Sequence, residues 1–258
     1  MEIFLQTGTW GALVTLTFLE IVLGIDNIIF ISIAANKLPE SEQKKATNIG
    51  LLLAMILRIL LLFGISLLIA MNTPFFHVNW SWFEAGFTGQ SLILFVGGLF
   101  LLYKSTKEIH HKVEGSEEHF ENDHSKKKYT IGQAIIQITL INIVFSFDSI
   151  LTAVGMTNGI QGAMTIMITS VILSMIIMMI FANPVGKFVN KHPTIQMLGL
   201  AFLILIGFML IAEAAHLSHA KLFDQEVGAI PKGYLYFAIT FSLVVEMLNM
   251  KMRKNKDD

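Results

Sequence analysis

The sequence contains no cysteine, which excludes disulfides and thiolate metal sites. Charge is scarce as well: 14% of the 258 residues are charged against 54% hydrophobic, and the mean hydropathy is +0.65. A soluble domain of this length cannot hide so much apolar surface, so the composition points to a polytopic membrane protein. The net charge of -1 therefore says little about partners. The N-terminal MEIFLQTGTW lacks a basic n-region, and the apolar run behind it is too long and too interrupted by polar residues for a secretory signal. It is expected to stay in the mature protein. Alternation of apolar and polar residues is missing too, which argues against the strands of a membrane barrel.

What is present is a set of long apolar runs. A spanning helix needs about 20 mainly apolar residues, and seven segments reach or approach that length: Trp10–Ala35, Ile49–Met71, Ser91–Tyr103, Thr130–Met156, Gly162–Ala182, Thr194–Ala215 and Gly233–Leu248. With seven spans, every lysine and arginine except Arg58, Lys221 and Lys232 falls on one side. The positive-inside rule then places the C-terminus in the cytoplasm and the N-terminus outside. The longest loop, Ser105 to Lys128, lies on the cytoplasmic side. Its four histidines, His110, His111, His119 and His124, stand among acids that would help collect a divalent ion, although charged loops of this kind are usually just solvated.

Self-comparison finds a match at an offset of 122 residues: TLTFLEIVLGIDNII, from Thr15, lies over QITLINIVFSFDSIL, from Gln137. Thr17 meets Thr139, Glu20 meets Asn142, Asp26 meets Asp148, Asn27 meets Ser149 and Ile28 meets Ile150. The second helix of each half is expected to end in an Asn and Pro pair, Asn72 with Pro74 and Asn183 with Pro184. Three helices per half is an odd number, so the halves enter the membrane from opposite sides. Such inverted repeats are common in transporters, with binding sites near the midplane at the repeat interface. The expected fold is all-α: one integral membrane domain over 1–258, with a first three-helix repeat (10–103), a cytoplasmic loop (105–129), a second inverted repeat (130–215) and a seventh helix (233–250).

Two acids, Glu20 and Asp26, lie in a run with no lysine or arginine from Trp10 to Ala35, and Asp148 and Glu246 sit in later spans. An ionised side chain at the bilayer centre costs about 2.5 to 3.5 kcal/mol on insertion scales, so such acids are usually paired or functional. The one clear mid-span cation is Arg58. Pairing it with one acid leaves the others to be neutralised by a divalent cation, by protons, or by both. At about 100° per residue, Thr17, Glu20, Gly24 and Asn27 form one stripe, and Thr139, Asn142, Ser146 and Ser149 form its equivalent. Asp26 and Asp148 lie about 100° away from those stripes. Either the helices unwind near Gly24 and Ser146, freeing carbonyls for a ligand, or these acids face another helix. The ligands on offer are oxygens: carboxylates, the amides of Asn27, Asn142 and Asn249, the Ser149 hydroxyl and backbone carbonyls. That shell suits Mg, Ca or Mn better than copper or zinc. Glu246 and Asn249, three apart, share a face of the last helix, where Glu246 reads equally well as a solvated helix-end acid.

LEIVLGIDNIIF, FSFDSI and FSLVVEMLN, together with the layout from about residue 10 to 250, resemble the TerC family of integral membrane proteins. The resemblance implies a seven-helix bundle of the LysE-type exporter superfamily and manganese efflux across the bacterial cytoplasmic membrane, with Mn2+ as cargo and no cofactor. Some members are linked to supplying manganese to proteins leaving through the secretion channel, which adds the secretion machinery to the divalent ion and the lipid bilayer as partners. The family name records tellurite resistance. By motif, the implied metal-site residues are Glu20, Asp26, Asn27, Asp148 and Glu246. Asn142 stands where the first repeat has Glu20, so the halves contribute unequal charge.

Other readings compete. An intramembrane aspartyl protease also uses two aspartates on separate helices, but FSFDS lacks the glycine-x-glycine-aspartate pattern of such enzymes. An exported tellurite-like oxyanion would be repelled by the acids unless they were protonated. Ca2+ and Mg2+ remain alternatives to Mn2+, and nothing points to nucleic acid or to a particular oligomer.

Overall fold

In the computed structural model of the chain, the described residues are 7–64, 71, 73–114, 130–157, 160 and 162–257. They form seven helices: α1 (Thr7–Ala35), α2 (Glu40–Phe63), α3 (Gly89–Val113), α4 (Ile131–Thr157), α5 (Ala163–Lys191), α6 (Pro193–Leu217) and α7 (Lys232–Asp257). Four short strands accompany them: β1 (Phe76–Trp80), β2 (Phe83–Phe87), β3 (Lys221–Leu222) and β4 (Gln225–Glu226). Among the described residues, α2, α4, α5, α6 and Lys232–Met252 of α7 are long and apolar enough to cross a membrane, and α1 contributes a shorter apolar stretch, Thr9–Val22. The protein is a mainly helical, polytopic membrane protein. In lipid a chain must satisfy its backbone internally, and these continuous apolar runs do so as helices.

Local signals set the helix starts. Glu40 and Glu42 occupy the first turn of α2, where they complement the helix dipole. Thr88 and Ser91 close a capping box on α3, each side-chain oxygen accepting the other's backbone N–H at 3.0 Å. Thr130 and Gln133 do the same on α4. Pro193 sits in the first turn of α6, where its missing N–H costs nothing.

The chain divides into two compact units, Met1–Ala70 with Phe120–Lys191 and Met71–His119 with His192–Asp258. The first holds α1, α2, α4 and α5, so it takes the first two helices of each sequence half. Its packing is reciprocal: α1 lies chiefly on α5, and α2 chiefly on α4. Close approach needs small residues. A Cβ on Gly24 would overlap Met178, and one on Gly50 would come within 2.6 Å of Ile138. Thr17 Oγ1 donates to Ser170 Oγ at 3.3 Å, and Ser32 Oγ donates to the Gly186 carbonyl at 3.2 Å.

In the second unit the two third helices, α3 and α6, pack on each other. They cross at glycines on both sides: a Cβ on Gly98 would sit 2.7 Å from the Gly207 carbonyl oxygen, and one on Gly207 would sit 3.0 Å from that of Gly98. An antiparallel sheet, ordered β1-β2-β3-β4, belongs to the same unit. Trp80 pairs with Phe83 across the Ser81–Trp82 turn. Phe223 and Asp224, with φ of 50° and 62°, join β3 to β4; positive φ at both central residues is the type I′ hairpin turn.

Several boundaries differ from expectation. Pro184 lies inside α5, which continues to Lys191, so the Asn183–Pro184 pair does not end that helix; Asn72 lies outside the described residues. The third helix extends ten residues past Tyr103, so 105–113 is helical and not loop. Lys104 pairs there with the buried Glu108 at 3.4 Å, an i,i+4 contact. The sheet was not expected at all.

Candidate functional site

The charged centre of the first unit is built by three helices. Glu20 on α1 and Arg58 on α2 are each 6% exposed, too little for water to solvate either charge. Arg58 Nη2 donates to Glu20 Oε1 at 2.6 Å and lies 2.5 Å from Oε2. The same nitrogen donates to Ser149 Oγ on α4. Ser149 in turn donates to the Ser146 carbonyl at 3.1 Å, which leaves a hydroxyl lone pair facing the guanidinium. The Nε of Arg58 has no hydrogen-bond partner among the described residues. Beside Glu20, against Ser170 and Ala153, is a cavity of about 10 Å3, room for at most one water.

The polar stripe of α4 is bonded back onto its own helix. Asn142 Nδ2 donates to the Ile138 carbonyl at 3.2 Å, and Ser146 Oγ donates to the Asn142 carbonyl at 2.6 Å. These i to i−4 bonds satisfy side chains in an apolar setting without a second helix. Both α1 and α4 are unbroken through Gly24 and Ser146, so the unwinding alternative fails and no carbonyls are freed there. Asp26 and Asn27 follow Glu20 on α1, and Asp148 precedes Ser149 on α4; the side chains of all three lie outside the described residues.

Glu20, Arg58 and Ser149 are thus brought together, and Asn142 lies about two turns from Ser149 on the same helix. Glu246 and Asn249 belong to α7 in the second unit. Glu246 is 8% exposed, and its Oε1 has no hydrogen-bond partner among the described residues; it is a buried acid and not a solvated helix-end one. His110 and His111 end α3, with His110 Nδ1 3.2 Å from exposed Glu114, whereas His119 and His124 lie outside the described residues. Among the described residues no group of three His, Asp or Glu is close enough to hold a metal ion.

Sequence reasoning missed a second feature of the first unit. A cavity of about 760 Å3 opens between the C-terminal end of α1, the start of α2 and the end of α5. Ser32 and Gly186 line it, together with Asn36, Glu40, Gln43 and Asn190. Lys44, Lys187 and Lys191 also line it and make no ion pair among the described residues. Its only sequence signal was the run of cations at these helix ends.

The chain matches the integral membrane protein TerC family over residues 5–257. It is 44% identical over 245 residues to the UPF0053 protein of Haemophilus influenzae, covering 95% of this chain and 94% of that one. It is 44% identical over 247 residues to the UPF0053 inner membrane protein YgdQ of Escherichia coli, covering 96% and 94%. Against the UPF0053 inner membrane protein YoaE of the same species it is 39% identical over 255 residues, and there the match spans 99% of this chain but only 45% of the longer relative. No solved structure matches it. With the family matched along almost the whole length, and with the buried Glu20 of LEIVLGIDNIIF seated in α1, the chain belongs to the TerC family of integral membrane proteins.

Proposed function

We propose that this chain is a transporter of the bacterial inner membrane that exports a hard divalent cation, Mn2+ first, through a carboxylate and amide site on its first and fourth helices. The observation that carries the reading is a charge imbalance. Glu20 takes the one mid-span guanidinium, Arg58, and the sequence holds no second mid-span cation for Asp26, Asp148 or buried Glu246. Acids placed so deep need positive charge, and an oxygen-only set favours Mn2+, Mg2+ or Ca2+. The inner-membrane names of YgdQ and YoaE support the location, the positive-inside count supports the orientation, and the outward direction rests on the family resemblance alone. The reaction is transport, not peptide cleavage.

The cargo oxygens are those of Asp26, Asp148, Asn27 and Ser149 in the first unit, with Glu20 as a further acid and Asn142 as an amide; Glu246 and Asn249 are an acid and an amide of the second unit, on the last helix. Protons returning as the metal leaves would keep the site neutral when it is empty. They would also offset the inward-negative potential that opposes loss of positive charge, so the exchange reads as Mn2+/proton antiport. In a manganese-sensitive host, expression should lower cell-associated Mn and restore growth. Unchanged cell Mn with the protein correctly inserted rejects export. In proteoliposomes, Mn2+ flux that ignores an imposed proton gradient, with no proton movement at clamped voltage, rejects the coupling alone.

A further inference from the structure

Arg58 holds two oxygens that the proposed cargo would need. One guanidinium nitrogen reaches Glu20 on α1 and Ser149 on α4 at once, and Ser149 is the chain neighbour of Asp148. The second half has nothing comparable: Asn142 stands where Glu20 stands, and α5 holds no lysine or arginine before Lys187. The arginine therefore accompanies the acid, and only in the half that carries it. Resting on the export reading, we infer that Arg58 is a tethered substitute for the substrate: its guanidinium occupies the cation site when no metal is bound, and the metal must displace it from Glu20 and Ser149 in order to bind.

Two consequences separate this role from that of a structural strut. A competitor held beside the site lowers the apparent affinity for metal by the fraction of time that it occupies the ligands. It also neutralises Glu20 in the empty carrier, where a buried acid without a partner would be costly. Removing the guanidinium should thus tighten metal binding and, at the same time, hinder the return of the empty site. A strut gives neither: its loss weakens binding, or lowers every mode of transport together.

The test uses the full chain, reconstituted in proteoliposomes and purified in detergent, with Mn2+ as the probe. Arg58→Gln should bind Mn2+ roughly tenfold more tightly than the unsubstituted protein. Its efflux into Mn-free medium should fall, while Mn2+/Mn2+ exchange, which never passes through the empty site, should be retained. Arg58→Lys keeps a buried charge to pair with Glu20 and serves if the neutral variant does not fold. Its shorter stem cannot hold Glu20 and Ser149 together, so Mn2+ should bind severalfold more tightly and efflux should persist. Unchanged or weaker Mn2+ binding in whichever variant folds, or joint loss of efflux and exchange, overturns the inference. An unsubstituted protein that neither binds nor moves Mn2+ removes the export reading itself, whereas one that does both while the Arg58 variants bind no more tightly removes only the role of Arg58.

Discussion

Asp26→Asn and Asp148→Asn each delete one charge and almost no volume. If the two aspartates carry the metal, each variant should reduce Mn2+ flux to that of protein-free vesicles. Thermal melts should stay at or above that of the unsubstituted protein, because a desolvated charge has been removed. Glu20→Ala is the contrast: it strands Arg58 in a dry site, and breaking one side of a buried pair costs about 3 to 5 kcal/mol. Melts that collapse for both aspartate variants would assign those residues to structure. The pairing of Glu20 with Arg58 was half legible in the sequence, since one mid-span arginine must serve one of the mid-span acids. That the acid is Glu20, and that Ser149 shares the guanidinium, depends on how far α2 slides along α1 and α4. Helical periodicity places residues on faces of one helix and carries no information about that offset.

The helices of the described residues were legible because most of the apolar runs are long and continuous, but their ends were not. Pro184 reads as a stop signal, yet α5 runs on to Lys191; a proline within a membrane helix is tolerated where neighbouring groups take up the freed backbone. Lys104 reads as the start of a loop, although an i,i+4 partner at Glu108 lets the helix leave the apolar region intact. The sheet escaped because its strands are short and its tight turn uses Phe223 and Asp224 at positive φ with no glycine to announce it. In retrospect the alternation of Phe76, Val78 and Trp80 with His77 and Asn79 was a period-two signal. The glycine crossing of α3 and α6 gives this scale its own prediction. Gly98→Ala places a methyl 2.7 Å from a backbone oxygen that cannot move alone, so it should cost about 1 to 3 kcal/mol. Gly11→Ala enters open space and should be neutral or slightly stabilising. Equal melting temperatures for the two variants in one detergent would show that the crossing is looser than its geometry.

Across the whole chain, the compact units do not coincide with the sequence halves. Each half lends its first two helices to one unit and its third to the other, and α1 on α5 answers α2 on α4. Interchanging the halves leaves this list of partners unchanged, which is the pattern that an internal duplication would produce. Over that plan lies an asymmetry of charge: Glu20 and Arg58 in the first half, against Asn142 and an α5 with no lysine or arginine before Lys187 in the second.

The lysine-lined cavity bears on how fast a cation arrives. It opens on the end where counting of positive residues places the cytoplasm; under the proposed export, a departing Mn2+ that entered there would pass Lys44, Lys187 and Lys191, opposed by one carboxylate of the lining, Glu40. Oppositely charged funnels speed association and lose that advantage as salt screens them; a funnel of like charge must behave in reverse. Raising ionic strength from about 10 to 150 mM shortens the screening distance from roughly 30 to 8 Å, and the initial rate of Mn2+ efflux should rise across that range. Lys44→Gln with Lys187→Gln should be faster at low salt and nearly flat with ionic strength. A rate that falls with added salt in the unsubstituted protein would mean that the cation enters by another route, and that these lysines face something negatively charged instead.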